Sequence, residues 1–597
     1  MRSLVLIAAV AVATYANALG GSFHFDDAHA IEQNPSIRSL ANVPRFFTDA
    51  STFSVLPQNQ GYRPLLLVTY ALTAAVAGVD AHAFIAVNLL VHLLCALLLY
   101  ATLRELLRQL GVAANVDTIA LVSALIFACH PLFSECVSYV SARSESLSSV
   151  LMMAALYAYL RARDRAGWIA AAIVAIAAAL VTKPTAVVFP LILVAVEAAA
   201  AERQPLRRIA PRFLALTGVV IALALLSGRM TPPFAMRSAS SFTPLEYLRS
   251  ELPAIWHYVR LFFLPIGQSA DPDYPAAASF VAPQVIAAAI GLSIAAAFSV
   301  WSIARRRHVG VGLAIAWFLL CLGPASSIFP LAEIVNEHRP YLAGAALCAL
   351  VAAALVEGVP RAFGRSGRKV SLAAIVVVLG GWTATTVVRN RTWRNELSLW
   401  ADVVQKSPTS TRAQMNYGLA LMSSGQVEEA GPHLMEALRL APAYPYAHVN
   451  LGNWLLYKGR HPEALMHLDS AIRLAPDLFW ARYYRGLAAE QLGETPGTRT
   501  AFFAATTELS PSFPDGWYHL SLARHAGGDM RGALEAVRRA IALRDGYDDR
   551  FMLAYLLLEL KDTVAAEPVL DRLRAERPGD GRVQLNLAYL AKLRAGR

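Results

Sequence analysis

The sequence predicts an all-α protein in two parts: a polytopic membrane domain of about eleven apolar spans, then a superhelix of short helical hairpins. Two observations carry this prediction. The chain of 597 residues is 56% hydrophobic and only 16% charged, a balance that calls for several membrane spans rather than one soluble core. That bias stops near residue 388. Beyond Arg389 the composition is that of an ordinary soluble helical protein, and self-similarity appears at a period of 34 residues. The expected organisation is therefore a membrane domain over 1–388, a linker over 389–410 and a repeat domain over 411–597.

The opening stretch "MRSLVLIAAVAVATYANALG" has the basic start, apolar core and Ala16-Asn17-Ala18 site of a secretory signal. Because more spans follow, we expect it to remain as the first membrane helix. Apolar runs then recur near 83–103, 117–133, 144–160, 168–182, 184–200, 213–228, 283–303, 309–326, 340–357 and 370–388. The shorter stretch 251–265 carries Glu251, His257 and Arg260 and decides the topology. If it does not span, the clusters "RELLRQ", "RARDR", "AERQPLRRIAPR", "ARRRH" and "RAFGRSGRK" all fall on the N-terminal side, as the positive-inside rule requires. If it spans, the last two leave that side. We therefore expect an interfacial or re-entrant helix there, a cytoplasmic N-terminus, and repeats on the outer face. In a bacterium that means the inner membrane, with the repeats in the periplasm.

The net charge of +11 belongs to these orienting clusters. Basic patches interleaved with aromatics are absent, which argues against nucleic acid as a partner. The cysteines Cys95, Cys129, Cys136, Cys321 and Cys348 lack metal-type spacing and read as small buried residues, although Cys129 and Cys136 are close enough in sequence to pair.

From 411 onward, Gly418, Gly452 and Gly486 are spaced by 34, as are Pro442 and Pro476. A small residue at position 8, alanines at 20 and 27 and proline at 32 form the tetratricopeptide pattern, in which small residues let two antiparallel helices approach. About five repeats and a capping helix are expected. Asn416 and Asn450 occupy the same repeat position. Their amides suit the backbone of an extended peptide, or they are simply surface polar residues; Tyr484 and His519 interrupt the ladder.

Charged groups beside membrane spans are functional candidates. Asp26 and Asp27 follow the first span in "FHFDDAHAIEQNPSI". His130, Glu135, Arg143 and Glu145 share a second outer loop and the helix start after it; Lys183 sits in "VTKPTAV", and Glu337, His338 and Arg339 sit at another mouth. Carboxylates that move protons, next to cations that hold an anion at a bilayer edge, describe transfer from a lipid-linked phosphate donor. An aspartate pair also suits a hard divalent cation, with Asp271 or Asp273 joining, or a plain helix cap. No spacing demands a metal.

The ordered set "FHFDDAHAIEQNPSI", "YRPLLLVTY", "HPLFSECVSYVSARSESLSSVLMMAALYAYL", "TKPTAVVFPLIL" and "NEHRPYLAGAALCAL", followed by the repeats, resembles the transmembrane and tetratricopeptide-repeat-containing O-mannosyltransferases. That resemblance implies a GT-C-like membrane fold and inverting transfer of mannose or another hexose. The implied donor is a polyprenyl- or dolichyl-phosphate sugar, the acceptor a protein Ser/Thr hydroxyl, and the repeats recruit that acceptor. It implies Asp26 as general base with Asp27 as orienter or alternate base. Arg143, Lys183 and Arg339 would neutralise the lipid phosphate, and His130, Glu135 and Glu337 would line the donor site. Family members often read Glu-Arg directly before Tyr-Leu, whereas "EHRPYL" here inserts His338 and Pro340. Two other readings stay open: a non-catalytic membrane-anchored repeat scaffold, and a transferase acting on a lipid or envelope glycan.

Overall fold

A computed structural model describes residues 1–56, 59–111, 114–202, 204–231 and 242–595, which are mostly helical with no β-strand among them. Arg203, one member of the basic cluster at 201–212, lies outside the described residues. The chain forms two compact units, Met1–Ser407 and Pro408–Arg597. The division falls later than 388 because the expected linker is itself ordered. Helix Gly367–Thr392 runs through Arg389, and helix Glu396–Lys406 follows, capped by Asn395 and burying Leu399, Trp400 and Val403.

Every predicted apolar run is at least partly helical in the first unit. Among the described residues five helical stretches are long and apolar enough to cross a membrane: Arg2–Gly20, Ala81–Leu110, Leu206–Met230, Pro283–Ala304 and Tyr341–Thr392. A sixth is reached if Val116–Cys129 and Pro131–Ser138, bent by 57°, count as one. The count falls short of eleven for three reasons, the first being that the run at 144–160 lies in helix Arg143–Arg161, which carries Arg143, Glu145 and Arg161 and is not among the five. Trp168–Leu180, Pro184–Ala199 and Val309–Leu322 are apolar but only 10–17 residues long, and the runs at 340–357 and 370–388 belong to one stretch, Tyr341–Thr392. Residues 251–263 of the stretch 251–265 lie in helix Pro244–Phe263, which is opened by a Thr243–Glu246 capping box and is not among the five.

Local chemistry sets these ends. Ala81–Leu110 starts where the Asp80 side chain accepts from Ala83 N–H, and stops at Gly111, whose φ of +62° suits a residue without Cβ. Its 30 residues measure about 45 Å, more than a bilayer core of about 30 Å. The main core gathers Phe127, Phe133, Leu156, Tyr258 and Tyr341 between these helices. A second core, with Tyr15, Ile31, Phe46, Tyr70 and Phe84, lies beneath the loop after the first helix. Asn34 stitches that loop, donating to Ala30 O, Thr52 O and Phe53 O. All five cysteines are free thiols.

The second unit is a row of five helical hairpins from Thr411–Ser423 to Thr563–Glu576, closed by the single helix Gly581–Ala595. The 34-residue glycines have a steric cause. A Cβ at Gly418 would meet Leu434 Cγ at 2.7 Å, and one at Gly452 would meet Leu468 Cγ at 2.8 Å.

Candidate functional site

The first loop turns sharply at its acidic pair. Phe25 adopts φ +48°, a left-handed conformation that is costly for a bulky residue and persists only where its surroundings hold it. Its ring meets Tyr139, Trp393 and Trp400 edge-on, at centroid distances of 5.6, 6.2 and 5.4 Å. The turn sends the two aspartates in opposite directions. Asp27 is fully buried and accepts from His24 N–H, Ser141 N–H and Ser141 O–H at 3.1, 2.8 and 2.5 Å. Burial lifts its pKa to about 6 against the pull of those hydrogen bonds. Asp26 keeps 59% of its side chain exposed, and its backbone N–H donates to Tyr139 OH at 3.3 Å. Burial in the cleft would raise its pKa, but His29, 3.2 Å from Oδ1, and the nearby Arg63 charge outweigh that and hold it below the ordinary carboxylate range. His29 is anchored in turn by Ser54 Oγ at 2.9 Å.

Asp26 lines a cavity of about 1160 Å³ in the membrane unit. Arg63, Tyr139, Glu145, Lys183, His338 and Arg339 form its polar end, while Val187, Leu191, Leu320 and Phe329 add apolar wall. Arg63 makes no ion pair among the described residues; its guanidinium sits 5.2 Å from the Phe53 ring centroid. Lys183 is paired with Glu145. Arg339 donates to Tyr247 OH at 3.1 Å, to Glu251 at 3.3 Å and to Ile334 O at 2.7 Å. His338 presents one edge to the cavity while its Nδ1 lies 2.7 Å from Glu135. Burial, then the Lys183 charge, drives its pKa down to about 3, so its imidazole is neutral.

The other sequence-predicted residues stand behind this wall. Arg143 is fully buried, donating to Asn88 Oδ1 at 2.6 Å and Phe84 O at 2.8 Å, with Tyr70 and Phe84 rings 5.0 and 5.3 Å away. Asn88 Nδ2 in turn donates to Val137 O and Tyr139 O. Arg143 thus braces the loop that carries Tyr139 and Ser141 and does not line the cavity. His130 stacks on Phe262 at 4.3 Å and donates from Nε2 to Phe262 O. Glu337 accepts from Ser269 N–H and Gln268, and burial raises its pKa to about 7. Among the described residues no group of three or more His, Cys, Asp or Glu could hold a metal ion, so Asp271 and Asp273 do not complete one with the acidic pair. In the repeat unit Asn416 and Asn450 lie half-buried on the first helices of successive hairpins.

Sequence reasoning passed over Arg63, His29, Tyr139 and Ser141. Arg63 had a legible signal: it stands at the mouth of an apolar run, immediately before the helix-starting Pro64. The other three gain meaning only from the fold of the loop.

Helices of membrane character around a charged cavity, followed by tetratricopeptide hairpins, define a class of membrane-bound repeat proteins. Comparison with known proteins narrows it. The family model described as "Dolichyl-phosphate-mannose-protein mannosyltransferase" matches residues 63–230, and that for the tetratricopeptide repeat matches 411–444. "Protein O-mannosyl-transferase F38B6.6" of Caenorhabditis elegans is 22% identical over 459 residues, covering 74% of this chain and 63% of its own length. "Protein O-mannosyl-transferase TMTC1" of Homo sapiens is 25% identical, covering 74% and 55%. "Protein O-mannosyl-transferase Tmtc3" of Drosophila melanogaster is 24% identical, also covering 74% and 55%. The chain thus spans between half and two thirds of the length of these relatives. It is similar to these proteins in placing a region that matches the mannosyltransferase family model ahead of tetratricopeptide repeats.

Proposed function

We propose that the chain is an integral-membrane glycosyltransferase that moves mannose or another hexose from a polyprenyl-phosphate donor to a hydroxyl, in the first place a protein Ser or Thr. The observation that supports this reading is the joining, in one cavity, of an ionised carboxylate, several cations and an apolar wall. A lipid-linked sugar phosphate needs all three.

In the proposed reaction the acceptor oxygen attacks the anomeric carbon from the face opposite the phosphate, and the configuration inverts. The bond from that carbon to the phosphate oxygen breaks, and its electron pair leaves with the lipid phosphate. Arg63, Lys183 and Arg339 offset the charge that develops there. The acceptor proton passes to Asp26, which His29 orients. A weak base suffices, because an oxocarbenium-like transition state gives up that proton late. Asp27 and Arg143 serve by fixing the loops, and the neutral His338 offers a hydrogen bond to a hydroxyl. No step calls for a metal ion. Asn416 and Asn450 are the proposed handles for an extended acceptor peptide. In this reading the site and the repeats face the periplasm of a bacterial inner membrane, or the equivalent lumen.

The test is transfer from radiolabelled polyprenyl-phosphate mannose or glucose in membranes containing the wild type or Asp26→Asn. Loss of a general base should lower transfer by about 10²–10⁴-fold with the protein still folded. Equal transfer by both would remove Asp26 from the chemistry. Absence of transfer by the wild type with either donor, and with protein, lipid or glycan acceptors, would leave the scaffold reading.

A further inference from the structure

A second cavity, of about 480 Å³, lies in the membrane unit, and its walls include Leu103, Leu107, Met153, Trp317, Ala346 and Ala349. Helix directions place it at the other end of the bundle. Ala81–Leu110 and Arg143–Arg161 give it their C-terminal halves, and Val309–Leu322 gives its first two turns and Trp317. The polar cavity takes Leu319 and Leu320 from the opposite end of that last helix. Its largely apolar lining gives water few partners.

The rim is charged. Arg306 and His308 come from one basic cluster and Arg361 from another, two clusters that the sequence puts in separate loops. Around them Arg305, Arg307, Arg365, Arg368 and Lys369 are all exposed. The one carboxylate on the rim among the described residues, Glu357, is already engaged, by Arg361 at 2.8 Å and by Ala114 N–H at 3.1 Å. Arg306 and His308 both hold φ +56°, a strained conformation for residues with a Cβ. Arg306 fixes the loop by donating to Ala199 O and Ala200 O. Strained backbone therefore keeps the Arg306 guanidinium at the mouth of an apolar cavity.

We propose that this cavity binds an anionic phospholipid, one acyl chain filling the hole and the phosphate held between Arg306 and Arg361. An apolar shaft with a positive collar fits that chemistry. A zwitterionic lipid offers the same chain without the net charge. The site is independent of the glycosyl-transfer reading.

Trp317 provides the probe. The full chain is reconstituted in phosphatidylcholine nanodiscs and titrated with phosphatidylglycerol or phosphatidylcholine carrying brominated acyl chains. The Trp317 share of the quenching is the difference from Trp317→Phe. Brominated phosphatidylglycerol should quench that share at about tenfold lower mole fraction than brominated phosphatidylcholine. The preference should vanish in Arg306→Gln/Arg361→Gln, and the quenching itself in Ala349→Leu, which fills the hole. Equal quenching of the Trp317 share by both lipids would overturn the proposal, whatever the arginine and Ala349 variants do. A preference that survives loss of both arginines would overturn it too.

Discussion

The lining of the polar cavity and the packed layer just behind it are made of the same residue types, yet they do opposite things. Asp26 and Arg63 face open space, whereas Asp27 and Arg143 are sunk in protein. Asp26 has one histidine partner and Arg63 has no ion pair among the described residues. Asp27 and Arg143 have their hydrogen-bonding capacity filled by Ser141, His24, Asn88 and Phe84. A charge left short of partners at a cavity wall can engage a ligand. A charge already satisfied by backbone and amide groups stabilises the loops that form the wall, and only its removal is felt.

The two arginines give the sharpest way to break this contrast. Arg143→Ala leaves a void beside Tyr70 and Phe84 and strips Asn88 Oδ1 and Phe84 O of a donor. It should destabilise the unit by about 2–4 kcal/mol, seen as a clear drop in Tm in detergent. Arg63→Ala should leave Tm nearly unchanged and weaken kcat/KM by about 10–100-fold, the worth of one charge-assisted contact to phosphate. If Arg63→Ala unfolds the protein while Arg143→Ala only slows transfer, the division between wall and layer is wrong.

How much of this was readable beforehand follows from the same contrast. The repeats were legible because the first hairpins repeat one steric demand, glycine against a large apolar side chain of the second helix, at Gly418–Leu434, Gly452–Leu468 and Gly486–Phe503. The apolar runs were legible as helices. Their number as spans was not, because short helices such as Trp168–Leu180 carry a membrane-like composition at less than spanning length. In the site, composition marked Asp26, Lys183 and Arg339. Nothing in "FHFDDAHA" tells which aspartate faces the cavity; that depends on a left-handed turn at Phe25 held by Tyr139, Trp393 and Trp400 from distant segments. Arg143 misled for a related reason: a helix-start arginine beside outer-loop acids reads as exposed until Asn88 and Phe84 are folded around it.

Titration separates the two aspartates more gently. Asp27 has a folded pKa of about 6, above its value in an unfolded chain, so the folded state binds that proton more tightly. Stability from this group is therefore highest below about pH 4 and declines as pH rises through about 6, by about 3 kcal/mol in all. Asp27→Asn should remove that part of the pH dependence of Tm between pH 4 and 7. The acid limb of kcat/KM should instead follow Asp26, whose lowered pKa keeps it ionised below the ordinary carboxylate range. A limb near pH 6 that disappears in Asp27→Asn would exchange the roles of the pair.

The smallest effect per residue is expected in the repeats, where the wall-and-layer distinction softens. Asn416 and Asn450 are half-buried, 34 residues apart, and neither side chain has a hydrogen-bond partner among the described residues. Each amide is thus in the position of Arg63 rather than of Arg143, open to a ligand but without charge. A neutral hydrogen bond to a peptide backbone contributes about 0.5–1.5 kcal/mol. Asn416→Ala/Asn450→Ala should therefore raise KM for a protein acceptor by about 5–100-fold, leaving kcat and the transfer to a short Ser/Thr peptide unchanged. An equal loss with both acceptors would place these residues in the stability of the array, since a peptide too short to reach the repeats has no use for them.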